Sequence, residues 1–475
     1  MSKTEFAAIV LAAGQGTRMK SQQPKVLHSL LGRPMVSYPV AASLAAGADR
    51  VVVVVGHGAG AVTAALTDRF GDRVTTALQT QQLGTGHAAQ CGASALPRYD
   101  GYFLILPGDC PLITSEVLGA LLDRARADDS DFAMITSSLP DATGYGRVIR
   151  NGVGRPVAIV EERDCTDSQR TITEFNPGIY VVKAEFFRQE IERLDTNNAQ
   201  GELYLTDLLA LASKSGTVSD VHMPSNGLHG INDRAQLVAR ERDLRMEIVH
   251  RHLGAGVTIR DPETTFIDAD VTIEPDVTIE SGVHLRGRCH VATGAHIDTG
   301  CVLTHVTVGA NTSVLPYTVA AESQIGASAR IGPFSHLRPG SELGDEVHMG
   351  NFVETKKTVM ARGAKANHLA YLGDGIVGEK CNVGAGTIFC NYDGFNKHQT
   401  VLEDNVFVGS DSQLIAPVTV GRDAYVGSGS TVTQDVPAEA LAIGRARQVN
   451  KPGLATRLRA KLKAERDRRK AAKSG

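Results

Sequence analysis

A chain of 475 residues is long enough for roughly two to four domains, which excludes a single small one. Hydrophobic residues make up 42% and charged residues 21%, an ordinary balance that supplies real cores and argues against disorder throughout. The net charge of −3 conceals an asymmetry: residues 451–475 carry ten Lys and Arg against Glu465 and Asp467, a surplus of +8 on a body of −11.

The first element is the apolar run from Phe6 to Ala13, which follows Glu5 without a basic leader and runs into Gly14-Gln15-Gly16. It predicts a buried strand, not a signal peptide. Val51 to Val55 and Tyr102 to Leu106 repeat the pattern, each followed by a turn and an amphipathic stretch. Up to about Gly230 the chain therefore reads as an α/β domain around a mainly parallel sheet. Such sheets bind ligands beyond the carboxyl ends of their strands, which directs attention to the loops there. The seven cysteines are odd in number and form no C-x-x-C pair, so neither a disulfide framework nor a zinc site is expected, and a reducing cytoplasm fits. No stretch approaches the ~18 apolar residues of a membrane span.

The loop after the first run reads Leu11-Ala12-Ala13-Gly14-Gln15-Gly16-Thr17-Arg18-Met19, with Pro24-Lys25 beyond it. Backbone amides of a Gly-rich turn can surround a phosphate, and Arg18 and Lys25 add positive charge where a phosphoryl group gains negative charge. The two glycines alone also fit a plain strand-to-helix turn; the longer string is more specific. Further along stand Gln79, Gln82-Leu83-Gly84-Thr85-Gly86-His87, Pro107-Gly108-Asp109, Gly144-Tyr145-Gly146-Arg147, Glu161, Asn176 and Asn232. Asp109 offers the hard oxygen that Mg²⁺ prefers, although Asp in a Gly-Asp turn is also a common turn former.

Asn232 to Leu253 has no Pro or Gly and carries a stripe of Leu237, Leu244 and Ile248, which predicts a linking helix. After it, Ile267, Ile273, Ile279, Leu285, Val291, Ile297 and Leu303 recur every six residues. The register resumes at Ile325 to Met349, at Val377 to Phe389 and at Leu402 to Val432. A six-residue period matches neither a helix nor an alternating hairpin sheet, but it matches a hexapeptide parallel β-helix. Each repeat supplies one short strand whose aliphatic side chain points into a prism. Of the 49 glycines, 26 follow Gly230, where most would punctuate such turns, and the absence of Trp suits so thin a core in that half.

Residues 351–376 and 390–401 are expected to interrupt the coils as insertions. They hold Glu354, Lys356, His368, Tyr371, Asn391 and Tyr392, a density that suits a functional loop, though solvated decoration is the other reading. Histidine has the unperturbed pKa for a base near neutrality, and His368 is the candidate, with Glu354 upstream as its orienter. The basic tail at 451–475 lacks aromatic interleaving or a nucleic-acid motif, so it is expected to be solvated and partly disordered.

The string Leu11 to Met19 with Pro24-Lys25 resembles the sugar-phosphate nucleotidyltransferases. With Gly350-Asn351-Phe352-Val353-Glu354, His368-Leu369-Ala370-Tyr371-Leu372-Gly373-Asp374, Asn382-Val383-Gly384-Ala385-Gly386-Thr387 and Cys390-Asn391-Tyr392-Asp393-Gly394, the chain from residue 4 to about 450 resembles one bacterial family. These are the bifunctional N-acetylglucosamine-1-phosphate uridylyltransferases and glucosamine-1-phosphate N-acetyltransferases. The resemblance implies a Rossmann-like nucleotidyltransferase domain at 1–231, the linking helix at 232–253, a left-handed parallel β-helix at 254–450 and the tail.

It further implies that Leu11, Ala12, Ala13, Gly14, Lys25, Gln79, Gly84, Thr85, Pro107, Gly108, Asp109, Gly146, Glu161, Asn176 and Asn232 contact the uridine nucleotide or sugar, with Asp109 and Asn232 as Mg²⁺ ligands. Arg338, Lys356, Tyr371 and Asn382 would hold the amino-sugar phosphate beside His368. Ala385, Asn391, Tyr392, Ser410, Ser428 and Arg445 would line the acetyl-CoA site. Pro107, Pro177 and Ser428 depart from the family's commoner Tyr, Thr and Ala. The implied chemistry is acetyl transfer from acetyl-CoA to glucosamine-1-phosphate, then UMP transfer from UTP to N-acetylglucosamine-1-phosphate. The product, UDP-N-acetylglucosamine, would feed peptidoglycan and other envelope polymers. A cytoplasmic homotrimer without nucleic-acid partners or stable membrane insertion is implied as well.

Overall fold

A computed structural model describes residues 5–472. By internal contacts the chain divides into one unit running to Thr272 together with His284–Arg288, and a second made of Ile273–Val283 and the residues from Cys289 onward.

In the first unit the predicted apolar runs are strands Phe6–Ala12, Arg50–Val55 and Tyr102–Pro107. The first lies between the other two, parallel to both. Their side chains alternate between two cores. Ala8, Val10 and Leu104 pack with Val40, Leu66 and Leu121 on one face, whereas Ala7, Ile9 and Phe103 pack with Ala89, Phe187 and Leu208 on the other. Burial on both faces is why these strands read as continuous apolar runs. Strand Tyr180–Lys183 joins antiparallel between Tyr102–Pro107 and Phe132–Ser138, so the sheet is mixed beyond its parallel part.

The linking helix runs from Arg234 to Gly254 and buries Leu237, Leu244 and Ile248. Asp233 caps it, accepting from the Gln236 amide at 2.8 Å. The division by contacts falls later than the change of sequence pattern near residue 254. The first hexapeptides pack with the N-terminal unit, where Asp270 receives Arg33 and Arg69 and the Ala269 amide donates to the Leu31 carbonyl at 3.0 Å.

The second unit is a parallel β-helix. Its strands of two to seven residues stack directly on those a coil away, as in Ile297 on Val314, Val314 on Ile331 and Ile331 on Met349. The aliphatic positions predicted to point inward are buried. One expectation is corrected here: residues 351–376 do not interrupt the helix. They form strands Glu354–Lys356, Val359–Met360, Lys365–His368, Tyr371–Gly373 and Gly375–Val377, in register with the coils on either side. The period was hidden because Thr355 occupies an interior position in the column of Leu337 and Leu372, and because two repeats are one residue short. The second expected interruption is a genuine excursion: Cys390 ends a strand, the next begins at Thr400, and Tyr392 bridges Lys397 between them.

The tail also differs from expectation. Leu454–Ala471 is a helix without a buried residue. It has no internal Pro or Gly and is rich in Ala, Leu, Lys and Arg, so intrinsic propensity favours helix even where no packing does. Lys473, counted in the basic surplus, lies outside the described residues.

Candidate active sites

Leu11 and Pro107 are register partners, so the loops leaving these two strands emerge side by side at the carboxyl edge. They open onto a cavity of about 310 Å³ lined by Leu11, Ala12, Ala13, Gly14, Lys25, Gln79, Gly84, Thr85, Pro107 and Asp109. Gln82 and Glu202 line it too; neither was singled out as a binding residue. Gly108 ties the loops together, its amide donating to the Leu11 carbonyl at 2.8 Å.

Lys25 approaches the Gly-rich loop because residue 16 is glycine. A Cβ there would lie 2.5 Å from the Lys25 Cβ, and φ is +62°. The ammonium of Lys25 pairs with Asp109 and donates to Asn232 Oδ1 at 3.3 Å. Arg18 Nη2 donates to the same Asn232 oxygen at 2.8 Å. Asn232 is held at the start of the linking helix, its amide donating to Gln236 Oε1 at 2.8 Å. Two oxygens of hard character, one carboxylate and one amide, thus converge on the Lys25 ammonium, with the Arg18 guanidinium beside the amide. Such a pair suits Mg²⁺, which takes few protein ligands and keeps waters.

Glu161, Asn176 and Gly146 form a neighbouring group outside that cavity lining. A Cβ on Gly146 would lie 3.4 Å from Glu161 Oε2. Burial pushes the Glu161 carboxyl above its usual range, against the hydrogen bond from Thr206 Oγ1 at 3.2 Å. Asn176 Nδ2 donates to Tyr180 OH at 2.6 Å while its Oδ1 accepts from the Gly178 amide at 3.0 Å. Arg147, also in this stretch, is fully buried and donates to Ile172 O and Glu162, a structural role.

In the β-helix His368 and Asn351 are register partners on adjacent coils, and His368 Nδ1 lies 3.0 Å from Asn351 Oδ1. The expected orienter, Glu354, is not in that position. Its Oε1 accepts from Arg338 Nη1 at 2.9 Å, because Glu354 lies on a different sheet from His368. Asn351 stands in the Gly350-Asn351-Phe352-Val353-Glu354 string but is not among the residues that the resemblance implies to act. Its spacing of 17 residues from His368, one shortened coil, is the signal that could have found it.

Arg338, Glu354, Lys356 and Tyr371 share one outward face: Leu337 pairs with Thr355, and Glu354 with Tyr371. Asn382 instead faces Lys365, three residues before His368 on the other sheet. Ala385, Ser410 and Ser428 climb one corner: Asp411 donates to the Ala385 carbonyl at 2.7 Å and Gly429 to that of Ser410 at 2.8 Å. A Cβ on Gly409 would strike the Ser428 amide at 2.5 Å, and one on Gly429 would lie 3.7 Å from Arg445 Cδ. Asn391 is buried and donates to Asp374, whereas Tyr392 stands on the excursion with Lys397 Nζ 4.2 Å from its ring centre.

A doubly wound sheet with a cation-bearing pocket, joined to a hexapeptide helix with a histidine-bearing corner, defines a nucleotidyltransferase fused to a hexapeptide transferase. Residues 8–177 match the MobA-like NTP transferase domain and residues 399–434 the bacterial transferase hexapeptide repeat. The chain is 56% identical to the bifunctional protein GlmU of Sorangium cellulosum over 97% of its own length and 98% of that relative. It is 46% identical to those of Pelobacter propionicus and Geobacter sulfurreducens, over 96% of this chain and 99% of each. The chain belongs to the bifunctional GlmU family and carries both of its activities, uridylyl transfer and N-acetyl transfer, in UDP-N-acetylglucosamine synthesis.

Proposed function

We propose that the two sites act in sequence, acetyl transfer in the β-helix preceding uridylyl transfer in the N-terminal unit. In the first reaction His368 Nε2 takes a proton from the amine of glucosamine-1-phosphate as that nitrogen attacks the thioester carbonyl of acetyl-CoA. The C–S bond breaks and coenzyme A leaves. Asn351 Oδ1 accepts from Nδ1–H, which leaves Nε2 free as base. Arg338, Lys356 and Tyr371 bind the sugar phosphate with Asn382, and Glu354 holds Arg338 in place. Ala385, Asn391, Tyr392, Ser410, Ser428 and Arg445 bind acetyl-CoA.

In the second reaction a phosphate oxygen of N-acetylglucosamine-1-phosphate attacks the α-phosphorus of UTP in line and pyrophosphate leaves. Arg18 and Lys25 stabilise the charge that gathers on the phosphates. The amides around Gly14 approach the nucleotide; Gln79, Gly84 and Thr85 meet the uridine, and Gly146, Glu161 and Asn176 the sugar. Mg²⁺, held by Asp109 and Asn232, would supply further charge neutralisation.

The convergence of Lys25, Arg18, Asp109 and Asn232 at the pocket mouth is the observation that carries this reading. Two assays with Mg²⁺ test it: free thiol released from acetyl-CoA with glucosamine-1-phosphate, and pyrophosphate released from UTP with N-acetylglucosamine-1-phosphate supplied directly. His368→Ala should abolish thiol release alone, and Asp109→Ala pyrophosphate release alone; a variant that silenced both would refute the assignment of separate sites.

The active form is a homotrimer in the cytoplasm. Support comes from seven free cysteines and from an exposed stack of Tyr317, Phe334 and Phe352, ring centres 5.3 and 5.6 Å apart, in the coils next to His368. Among the described residues no helix is long and apolar enough to cross a membrane.

A further inference from the structure

Gln79 is 5% exposed and lines the nucleotide cavity, yet its amide is not free to turn. Its Nε2 lies 3.1 Å from the Gly84 carbonyl and 3.1 Å from His87 Nδ1. An NH₂ group has two hydrogens, and these two acceptors use both. The reversed amide would set Gln79 Oε1 against the Gly84 carbonyl, acceptor against acceptor. That carbonyl is itself fixed. Gly84 has φ of +109°, the Leu203 amide donates to Leu83 O at 2.8 Å, and the Gly86 amide donates to Leu203 O at 2.8 Å.

His87 completes the arrangement. For Nδ1 to accept, the ring proton must sit on Nε2, which lies 3.7 Å from the Cys91 sulfur one helical turn further along. The path from Cys91 through His87 to Gln79 thus has a single consistent set of donors and acceptors. It leaves Gln79 Oε1 as the atom that the amide can present to a ligand.

We propose that His87 is the positioning residue for base selection: by accepting from Gln79 Nε2 it makes residue 79 an acceptor toward the pocket. An acceptor there pairs with the ring N3–H of uracil. It opposes cytosine, whose N3 is itself an acceptor. The inference rests on the uridylyltransferase reading above and adds to it the residue that enforces the choice of base. Neither His87 nor Cys91 need touch the nucleotide.

The test compares kcat/KM for UTP and CTP in the full-length enzyme. His87→Leu removes the acceptor, and the UTP-to-CTP ratio should fall about tenfold or more, through KM for UTP and not kcat. His87→Asn, whose Oδ1 can stand where Nδ1 stood, should restore most of the ratio. An unchanged ratio in a His87→Leu enzyme that melts like the parent would overturn the proposal, as would failure of Asn to rescue. If the leucine variant does not fold, the nitrogen shifts of ¹⁵N-histidine in the parent enzyme decide the matter. A proton on Nε2 supports the proposal and one on Nδ1 overturns it. Failure of the parent enzyme to use UTP at all would instead refute the reading on which the inference rests.

Discussion

Asn351 and His368 face each other across adjacent coils, 3.0 Å apart at Oδ1 and Nδ1, so the histidine's partner is an amide and not a carboxylate. An amide orients the ring without the added electrostatic support that a negative charge would give an imidazolium. Asn351→Ala should therefore lower kcat for acetyl transfer by about tenfold to a hundredfold, less than the 10²–10⁴ expected for His368→Ala. Neither change should alter pyrophosphate release. Glu354→Ala, by releasing Arg338, should chiefly raise KM for glucosamine-1-phosphate, and steady-state kinetics separates the two effects.

Lys25 bridges both oxygens assigned to the metal. Lys25→Met should cost about 10²–10³ in kcat for uridylyl transfer, the scale of losing one preorganised charge at the reacting phosphate. Asp109→Asn should raise the Mg²⁺ concentration needed for half-maximal rate. Free-thiol release from acetyl-CoA, followed in the same samples, should stay at the parent value.

Asp270 carries a pH dependence. Burial works against its ionisation, but hydrogen bonds from Arg69 and Arg33 outweigh that and hold the carboxyl down to about 2. A depressed carboxyl stabilises the fold above its unfolded value of about 3.9, and this contribution disappears as pH falls toward about 2. Asp270→Asn should cost on the order of 2 kcal/mol at neutral pH and flatten the acid limb between about pH 4 and 2 in urea unfolding followed across pH.

On the excursion after Cys390, the Asp393 carboxylate accepts from the Phe395 amide at 2.8 Å, the Asn396 amide at 2.6 Å and His398 Nε2 at 2.7 Å. These bonds hold its carboxyl well below the usual range. Asp393→Ala should loosen the loop that carries Tyr392 and raise KM for acetyl-CoA several-fold. Stability should change little, because Phe395 and its neighbours are exposed and add nothing to the core.

The parts of the molecule legible in sequence were those governed by short-range periodicity. Runs buried on both faces marked the parallel strands, and the six-residue aliphatic beat marked the prism. What escaped depended on register between coils. Thr355 is buried where the neighbouring coils carry Leu337 and Leu372, so regular coils looked like an insertion. The partner of His368 lies one coil away, at a distance in sequence that no local motif measures. Glu354 is nearer to His368 in sequence, but the corner between strands sends it to another sheet. The tail was misjudged for another reason: charge density suggested disorder, while residue-by-residue propensity favoured the helix that forms.

The stacked rings on the β-helix sit in a column that also holds Gly300 beneath Tyr317, with Leu369 and Gly386 further along. Tyr317, Phe334, Phe352 and Leu369 all adopt positive φ, between 49° and 58°, a conformation glycine takes freely and bulky residues do not. Backbone ease alone would have put glycine at every rung. Substituting glycine at those rungs should relieve the backbone of each coil while removing the exposed rings on which the proposed trimer contact rests.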